Sequence, residues 1–259
     1  MVQEPRLRLA FITGASSGLG RAFCLELDRR DDFDMFYLVS RRRDLLEELA
    51  NNLRHPVRLF PGDVTDPAWQ AELADDLADS STRPLIKYLV QSAGMGRAGL
   101  AADLGQANAD TVRLNCLALT QMIQLTLPYM DKGSHIFNIA SVAAFMPQHG
   151  FASYAVSKAY VLSYSRALHS ELKAKGISCM AVCPNPMETE FLTKSGQSAQ
   201  VKGFKRLGVE SPENVCRKAL RKLDRGKDVS LSNGAARLVL ALSKLLPHRL
   251  VLWFERKFS

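Results

Sequence analysis

Short apolar runs alternate with amphipathic stretches through the first two-thirds of the chain. The runs at 7–13, 35–40, 56–60, 86–91, 134–140 and 177–183 predict strands. The segments at about 18–30, 42–53, 67–79, 108–130 and 152–175 predict helices. Strand alternating with helix at this rhythm is the signature of the α/β class. It implies a doubly wound parallel sheet, here of about seven strands, with helices on both faces. No internal repeat, low-complexity tract or Gly/Ser linker divides residues 1–259, so one domain is expected. Residues 186–212 break the rhythm: they are polar, glycine-containing and strand-free. Ligands of such a sheet bind beyond the C-terminal strand ends, so this excursion is read as a substrate lid.

The composition, 47% apolar and 23% charged, is that of an ordinary globular protein long enough to bury a large core. The net charge of +8 suits an anionic ligand or surface. No basic run interleaved with aromatics argues for nucleic acid, which is not expected as a partner. Cys24, Cys116, Cys179, Cys183 and Cys216 form no C-x-x-C pair and no zinc spacing. No metal is therefore expected, and the thiols read as buried and free in a reducing compartment. The chain opens on a strand-like run without a secretory signal, and no segment approaches the ~20 apolar residues that span a bilayer. A cytoplasmic location is expected.

The first strand runs into T-G-A-S-S-G-L-G. Gly14, Gly18 and Gly20, with Ser16, Ser17 and Leu19 among them, stand where a backbone turns sharply and must approach a pyrophosphate. The helix behind offers free amides and a positive dipole end to the phosphates. In this strand–loop–helix context the glycine pattern is specific. An NAD site places an acidic residue at the end of the second strand to bind ribose hydroxyls. This chain has Ser40, Arg41, Arg42 and Arg43 there. A carboxylate would repel a ribose phosphate, whereas a hydroxyl and a guanidinium fork would hold it. Arg43 reads as the solvated start of a helix. Ser40, Arg41 and, second to it, Arg42 read as phosphate ligands, so NADP(H) is the expected cofactor.

Tyr154 and Lys158, in S-Y-A-V-S-K-A-Y, share one face of a predicted helix. An ammonium beside a phenol favours the phenolate and pulls the tyrosine pKa down toward neutral pH, where proton transfer is efficient. Taken in order, the glycine loop, Ser141, Y-x-x-x-K and a proline-rich turn resemble the short-chain dehydrogenase/reductase family. The likeness is to its compact single-domain, Rossmann-like branch and covers about residues 7–195. By that resemblance Tyr154 would be the general acid/base, and Lys158 would lower its pKa while binding the nicotinamide ribose. Ser141 would hydrogen-bond the substrate oxygen, and Asn115, in R-L-N-C-L-A, would hold a water for the proton relay. Asp63, in G-D-V-T, would lie beside the adenine with Val64 packed nearby. Ala93 and Gly94 fall where the family has N-A-G. Pro184 and Thr189, in P-N-P-M-E-T, would face the nicotinamide and its phosphates.

Two positions depart from the family. Ser92 stands for the asparagine of N-A-G, which bears on local hydrogen bonding, and Asn185 for the glycine after Pro184. Asparagine tolerates a left-handed backbone better than most residues, so that turn can survive. The Y-x-x-x-K spacing disfavours the family's enoyl reductases, and the length its extended sugar-nucleotide epimerases. The activity implied is hydride transfer between NADP(H) and a carbonyl or alcohol. The rival reading is a non-catalytic NADP-binding sensor or scaffold, which would have no need to keep Ser141, Tyr154 and Lys158 together.

Met95, Phe145, Met146, His149, Phe151, Met187, Phe191 and Leu192 are expected around the substrate. That lining is largely apolar and points to a hydrophobic carbonyl or alcohol, with His149 in a surface or hydrogen-bonding role. Residues 235–259 are apolar and basic, with Trp253 and Phe254 beside Arg256 and Lys257. They are too short and too charged to span a bilayer but suited to a membrane interface. Packing on the domain itself or in a homodimer or homotetramer is favoured over peripheral membrane contact, since the family often forms such oligomers.

Overall fold

A computed structural model of the chain describes residues 6–79, 84–187, 189–196, 209–231, 233–245 and 247–258. Seven strands, β1 (Leu7–Thr13), β2 (Met35–Ser40), β3 (Val57–Pro61), β4 (Pro84–Gln91), β5 (His135–Ile139), β6 (Ser178–Cys183) and β7 (Val229–Leu231), form one parallel sheet. Their order is β3-β2-β1-β4-β5-β6-β7. The winding reverses between β1 and β4, which opens a crevice at their C-terminal ends.

Successive side chains of a strand point to opposite faces, and here both faces are buried, so the strands read as continuous apolar runs. Leu9 and Phe11 enter one core layer and Ala10 and Ile12 the other. The second layer is covered by α1 (Gly18–Leu27) and α2 (Arg43–Ala50) through Phe23, Leu27, Leu46 and Leu49. The first is covered by α3 (Pro67–Ala78) through Trp69 and Leu73, and by the long segment that follows β4. That segment runs through α4 (Ala101–Leu104), α5 (Gln106–Val112), a π turn at Arg113–Ala118 and α6 (Leu119–Thr126). After β5 comes α7 (Ala152–Leu172), burying Val161 and Leu168 in the same layer.

The six expected strands form within two residues of their expected bounds. β7 has three residues, too few to carry a period. After β6 the chain forms α8 (Glu190–Lys194), and an isolated bridge joins Met187 to Glu210. Residues 197–208 of the expected lid lie outside the described residues. Its C-terminal bound is set by α9 (Pro212–Leu223), where the Ser211 hydroxyl accepts from Asn214 N ahead of a proline in the first turn.

In the C-terminal segment, α10 (Gly234–Leu245) buries Ala236 and packs Leu240 on the core. The helix α11 (His248–Phe258) instead exposes Leu250, Leu252 and Trp253. Packing on the domain is therefore seen for α10. No helix among the described residues is long and apolar enough to cross a membrane. Cys24, Cys179, Cys183 and Cys216 are buried free thiols, and Cys116 is half-buried.

Candidate active site

β1 ends at Thr13, and the chain turns through Gly14 (φ 66°) and Gly18 (φ 53°) before entering α1. A Cβ on Gly14 would lie 2.7 Å from Ala93 N, and one on Gly20 would strike Gly14 O. Both positions therefore admit glycine alone without backbone movement. Ser92 N donates to Thr13 O at 3.3 Å and Ala93 N to Thr13 Oγ1 at 3.2 Å, which seats Ala93–Gly94 against the loop. The crevice between β1 and β4 thus has a floor almost free of side chains. Leu19 and Val64 are buried in the two core layers, and Thr189 Cγ2 lies 3.4 Å from where a Gly18 Cβ would sit. A cavity of about 530 Å³ opens beside Gly18 and Thr189, between α1 and residues 209–213; none of the groups around Tyr154 lines it.

At the end of β2, Ser40 Oγ donates to Ser16 Oγ at 2.7 Å. Arg42 Nη2 donates to Ser16 Oγ (3.0 Å) and Ser17 Oγ (2.7 Å), and Arg42 Nη1 to Glu190 Oε2 (2.7 Å). Ser17 is the N-cap residue of α1, yet its side chain does not cap that helix. Arg41 points outward, 76% exposed, with Nη1 3.8 Å from Asp63 Oδ2. Of the two arginines, it is Arg42, given second place from sequence, that meets the loop hydroxyls. Ser40 Oγ also accepts from Arg42 N at 3.1 Å, a local turn that faces the second arginine toward the glycine loop. Arg43 pairs with Glu47 at 2.9 Å on the exposed start of α2. Asp63 Oδ1 accepts from Thr65 N and Oγ1 and holds the turn after β3.

Past the end of β5, Ser141 Oγ accepts from Ala143 N at 3.1 Å and caps a short turn at Val142–Phe145. Tyr154 and Lys158 lie one turn apart on α7, both buried, with the Ser141 hydroxyl near enough to the Tyr154 phenol to act on its pKa. Lys158 Nζ donates to Ile139 O at 2.7 Å and sits 5.6 Å from the centre of the Tyr154 ring. The expected fall in the tyrosine pKa does not occur in this arrangement. Burial pushes Tyr154 up to about 12; the Ser141 hydrogen bond opposes the rise and Cys183 adds to it. Burial likewise pushes Lys158 down to about 8, against the pull of Cys116 and Cys183. Removal from water is the largest cause of both shifts.

Asn115 sits in the π turn and clamps the loop after β4. Its Oδ1 accepts from Met95 N (2.9 Å), while its Nδ2 donates to Met95 O (2.8 Å) and Ser157 Oγ (2.9 Å). Ser157 Oγ in turn donates to Tyr154 O at 2.7 Å. The side chain is therefore occupied in positioning that loop against α7. After β6, Pro184 O accepts from Val142 N (3.1 Å), and Asn185 Nδ2 donates to Asn233 Oδ1 (2.7 Å) ahead of α10.

Around the Tyr154 ring stand Phe151, Ala143, Ala98 and Phe191, with ring centres 4.4 Å away for Phe151 and 5.4 Å for Phe191. Three expected lining residues are elsewhere. Phe145 is buried in the core layer on the α7 side with Met146 packed on it, and Met187 packs on the layer beneath α1 and α9. The short turn at 142–145 and the strand-like approach of 187 direct those side chains inward. Met95 is half-buried beside Asn115, and His149 is at the surface.

Gly96, Ser157 and Glu190 were not legible as site residues. A Cβ on Gly96 would lie 2.7 Å from Tyr154 Cδ2 and 2.8 Å from Phe151 Cζ, so glycine is required for the tyrosine to seat. The second glycine of A-G-M-G was the available signal. Nothing local marked Ser157 or Glu190.

The chain matches the family described as short chain dehydrogenase over residues 8–200. It is 33% identical over 196 residues to sulfoacetaldehyde reductase 2 of Chromohalobacter salexigens, spanning 73% of this chain and 76% of that protein. It is 30% identical over 185 residues to an uncharacterized oxidoreductase of Staphylococcus epidermidis, spanning 70% and 79%. A short-chain dehydrogenase from Sphingobium yanoikuyae, solved in complex with NADPH, is 29% identical. It superposes with a TM-score of 0.77 over 92% of this chain and 93% of that one. A family match over most of the chain, on a doubly wound seven-stranded sheet with its crevice floored by glycine, makes this protein a member of the short-chain dehydrogenase family and hence an oxidoreductase that binds a nicotinamide dinucleotide.

Proposed function

We propose that the protein is an NADP(H)-dependent oxidoreductase that interconverts a carbonyl and a secondary alcohol on a hydrophobic small molecule. The observation that carries this reading is the convergence of Tyr154, Ser141 and Lys158 at the ends of β4 and β5, beside the Gly94 backbone. The residues present fit the dinucleotide. The glycine floor admits a pyrophosphate, and Arg42 with Ser16, Ser17 and Ser40 supplies donors for a ribose phosphate. Lys158 gives one of its three ammonium protons to Ile139 O and keeps others for ribose hydroxyls. That the related Sphingobium structure holds NADPH supports the same choice.

The nicotinamide, when bound, supplies or accepts the hydride. Tyr154 is the proton donor to the carbonyl oxygen, and the Ser141 hydroxyl hydrogen-bonds the same oxygen. A phenol pushed up to about 12 is fully protonated at neutral pH, as an acid in the reducing direction must be. Alcohol oxidation runs the proton back along the same bond. Asn115 acts through Met95 and Ser157 as a positioning residue. Phe151, Ala143, Ala98 and Phe191 exclude water and select an apolar substrate.

Val156 and Tyr160, one turn apart on α7, are exposed together with Leu117, and we read this apolar face as the contact between copies of the chain. The free cysteines suit a reducing, cytoplasmic setting. The test is oxidation of NADPH and of NADH by the purified protein against a panel of hydrophobic ketones and aldehydes. Consumption of NADPH that disappears in Tyr154→Phe is expected. Undiminished turnover in that variant would remove the tyrosine from its role.

A further inference from the structure

Glu190, the first residue of α8, reaches across the cofactor end of the site. Its Oε2 accepts from Arg42 Nη1 and from Lys194 Nζ, each at 2.7 Å. The other arm of Arg42 lies on the hydroxyls of Ser16 and Ser17, and Ser40 bonds Ser16 behind them. A guanidinium among three hydroxyls is a donor cluster shaped for an anion, and this carboxylate is the anion it meets within its own chain. The two side chains are 34% and 47% exposed, so the pair is weak and exchangeable. Lys194 keeps hold of Glu190 if Arg42 lets go, so displacement leaves no unpaired charge.

We propose that Glu190 is a specificity-determining latch: its carboxylate holds the place on Arg42 that the 2′-phosphate of NADP(H) takes, and the phosphate binds by displacing it. The proposal rests on the NADP reading above and adds a coupling to the substrate end. α8 carries Phe191 against the Tyr154 ring, and it is tied to the loop after β4 by Ala98 N to Ser195 O (2.8 Å) and Arg97 Nη1 to Lys194 O (2.9 Å). The occupant of Arg42 therefore decides whether the N-terminal end of this cover is held. A dinucleotide lacking the 2′-phosphate leaves the latch closed.

The test compares 2′,5′-ADP with 5′-AMP by isothermal titration calorimetry on the full chain, which isolates the extra phosphate without catalysis. Glu190→Gln keeps the side chain's size and removes its charge. It is expected to bind 2′,5′-ADP about fivefold more tightly than the unsubstituted protein, with 5′-AMP unchanged. Glu47→Gln removes the same charge from Arg43 and is expected to shift neither ligand. Unchanged or weaker 2′,5′-ADP binding in Glu190→Gln overturns the latch. So does an equal gain for 5′-AMP or in Glu47→Gln, which would report a general field. If the unsubstituted protein binds 2′,5′-ADP no more tightly than 5′-AMP, the NADP reading itself fails and the latch with it.

Discussion

At the N-terminal ends of the strands, His135 opens β5 with its Nδ1 2.7 Å from Ser178 Oγ. Beside it Tyr88 donates to Asp32 at 2.6 Å and accepts from Arg30 at 3.2 Å. At the C-terminal ends, Tyr154 and Lys158 are buried, with Ser141 acting on the phenol and the Ile139 carbonyl accepting from the ammonium. Burial shifts both sets. It takes His135 down to about 4 and Tyr88 well above the usual tyrosine range, just as it takes Tyr154 up to about 12 and Lys158 down to about 8. A perturbed pKa therefore does not by itself mark a site. At the lower end the shifted groups are closed off by partners from their own chain. At the upper end the Lys158 ammonium keeps protons beyond the one given to Ile139 O and lies beside Gly94.

The largest expected effect separates the two ends outright. Tyr154→Phe should lower turnover about a thousandfold. Its Tm should barely move, because the ring keeps its seat between Phe151 and Phe191. A large drop in Tm with turnover intact would place this tyrosine with the structural group.

His135 tests the lower end. Its folded pKa lies near 4, below the ordinary 6.5, so the unfolded chain binds more protons between those values. Stability should be full above pH 6.5 and fall by on the order of 2–3 kcal/mol as pH drops toward 4. Urea midpoints measured across that range should lose this slope in His135→Gln, while turnover at neutral pH stays. A slope that persists would assign the acid sensitivity to other groups.

Gly96→Ala pushes a methyl into the Tyr154 ring and should cost about 2 kcal/mol of stability together with activity. A variant with normal stability and normal turnover would show that the ring has room. The smallest effect divides the two arginines. Arg42→Ala should weaken NADPH about tenfold in a fluorescence titration and leave NADH nearly unchanged. Arg41→Ala should change NADPH less, since that side chain stands outside the serine cluster. A larger loss of NADPH affinity in Arg41→Ala would restore the weighting read from sequence.

What the sequence determined by itself was local. A strand buried on both faces reads as a nearly continuous apolar run, so six of the seven strands could be read at sight. T-G-A-S-S-G-L-G announces its turn because a positive φ and close backbone approach require glycine at Gly14 and Gly20. Tyr154 and Lys158 share a face because the helix period places them there. Tertiary structure alone decided which of two adjacent arginines turned inward, and that Glu190 meets Arg42 across a separation of 148 residues. It also decided that Phe145 serves the core, that Gly96 must lack a side chain, and that burial drives Tyr154 and Lys158 away from each other's titration range. Each of these depends on packing and desolvation among segments remote in the chain, which no local period or propensity encodes.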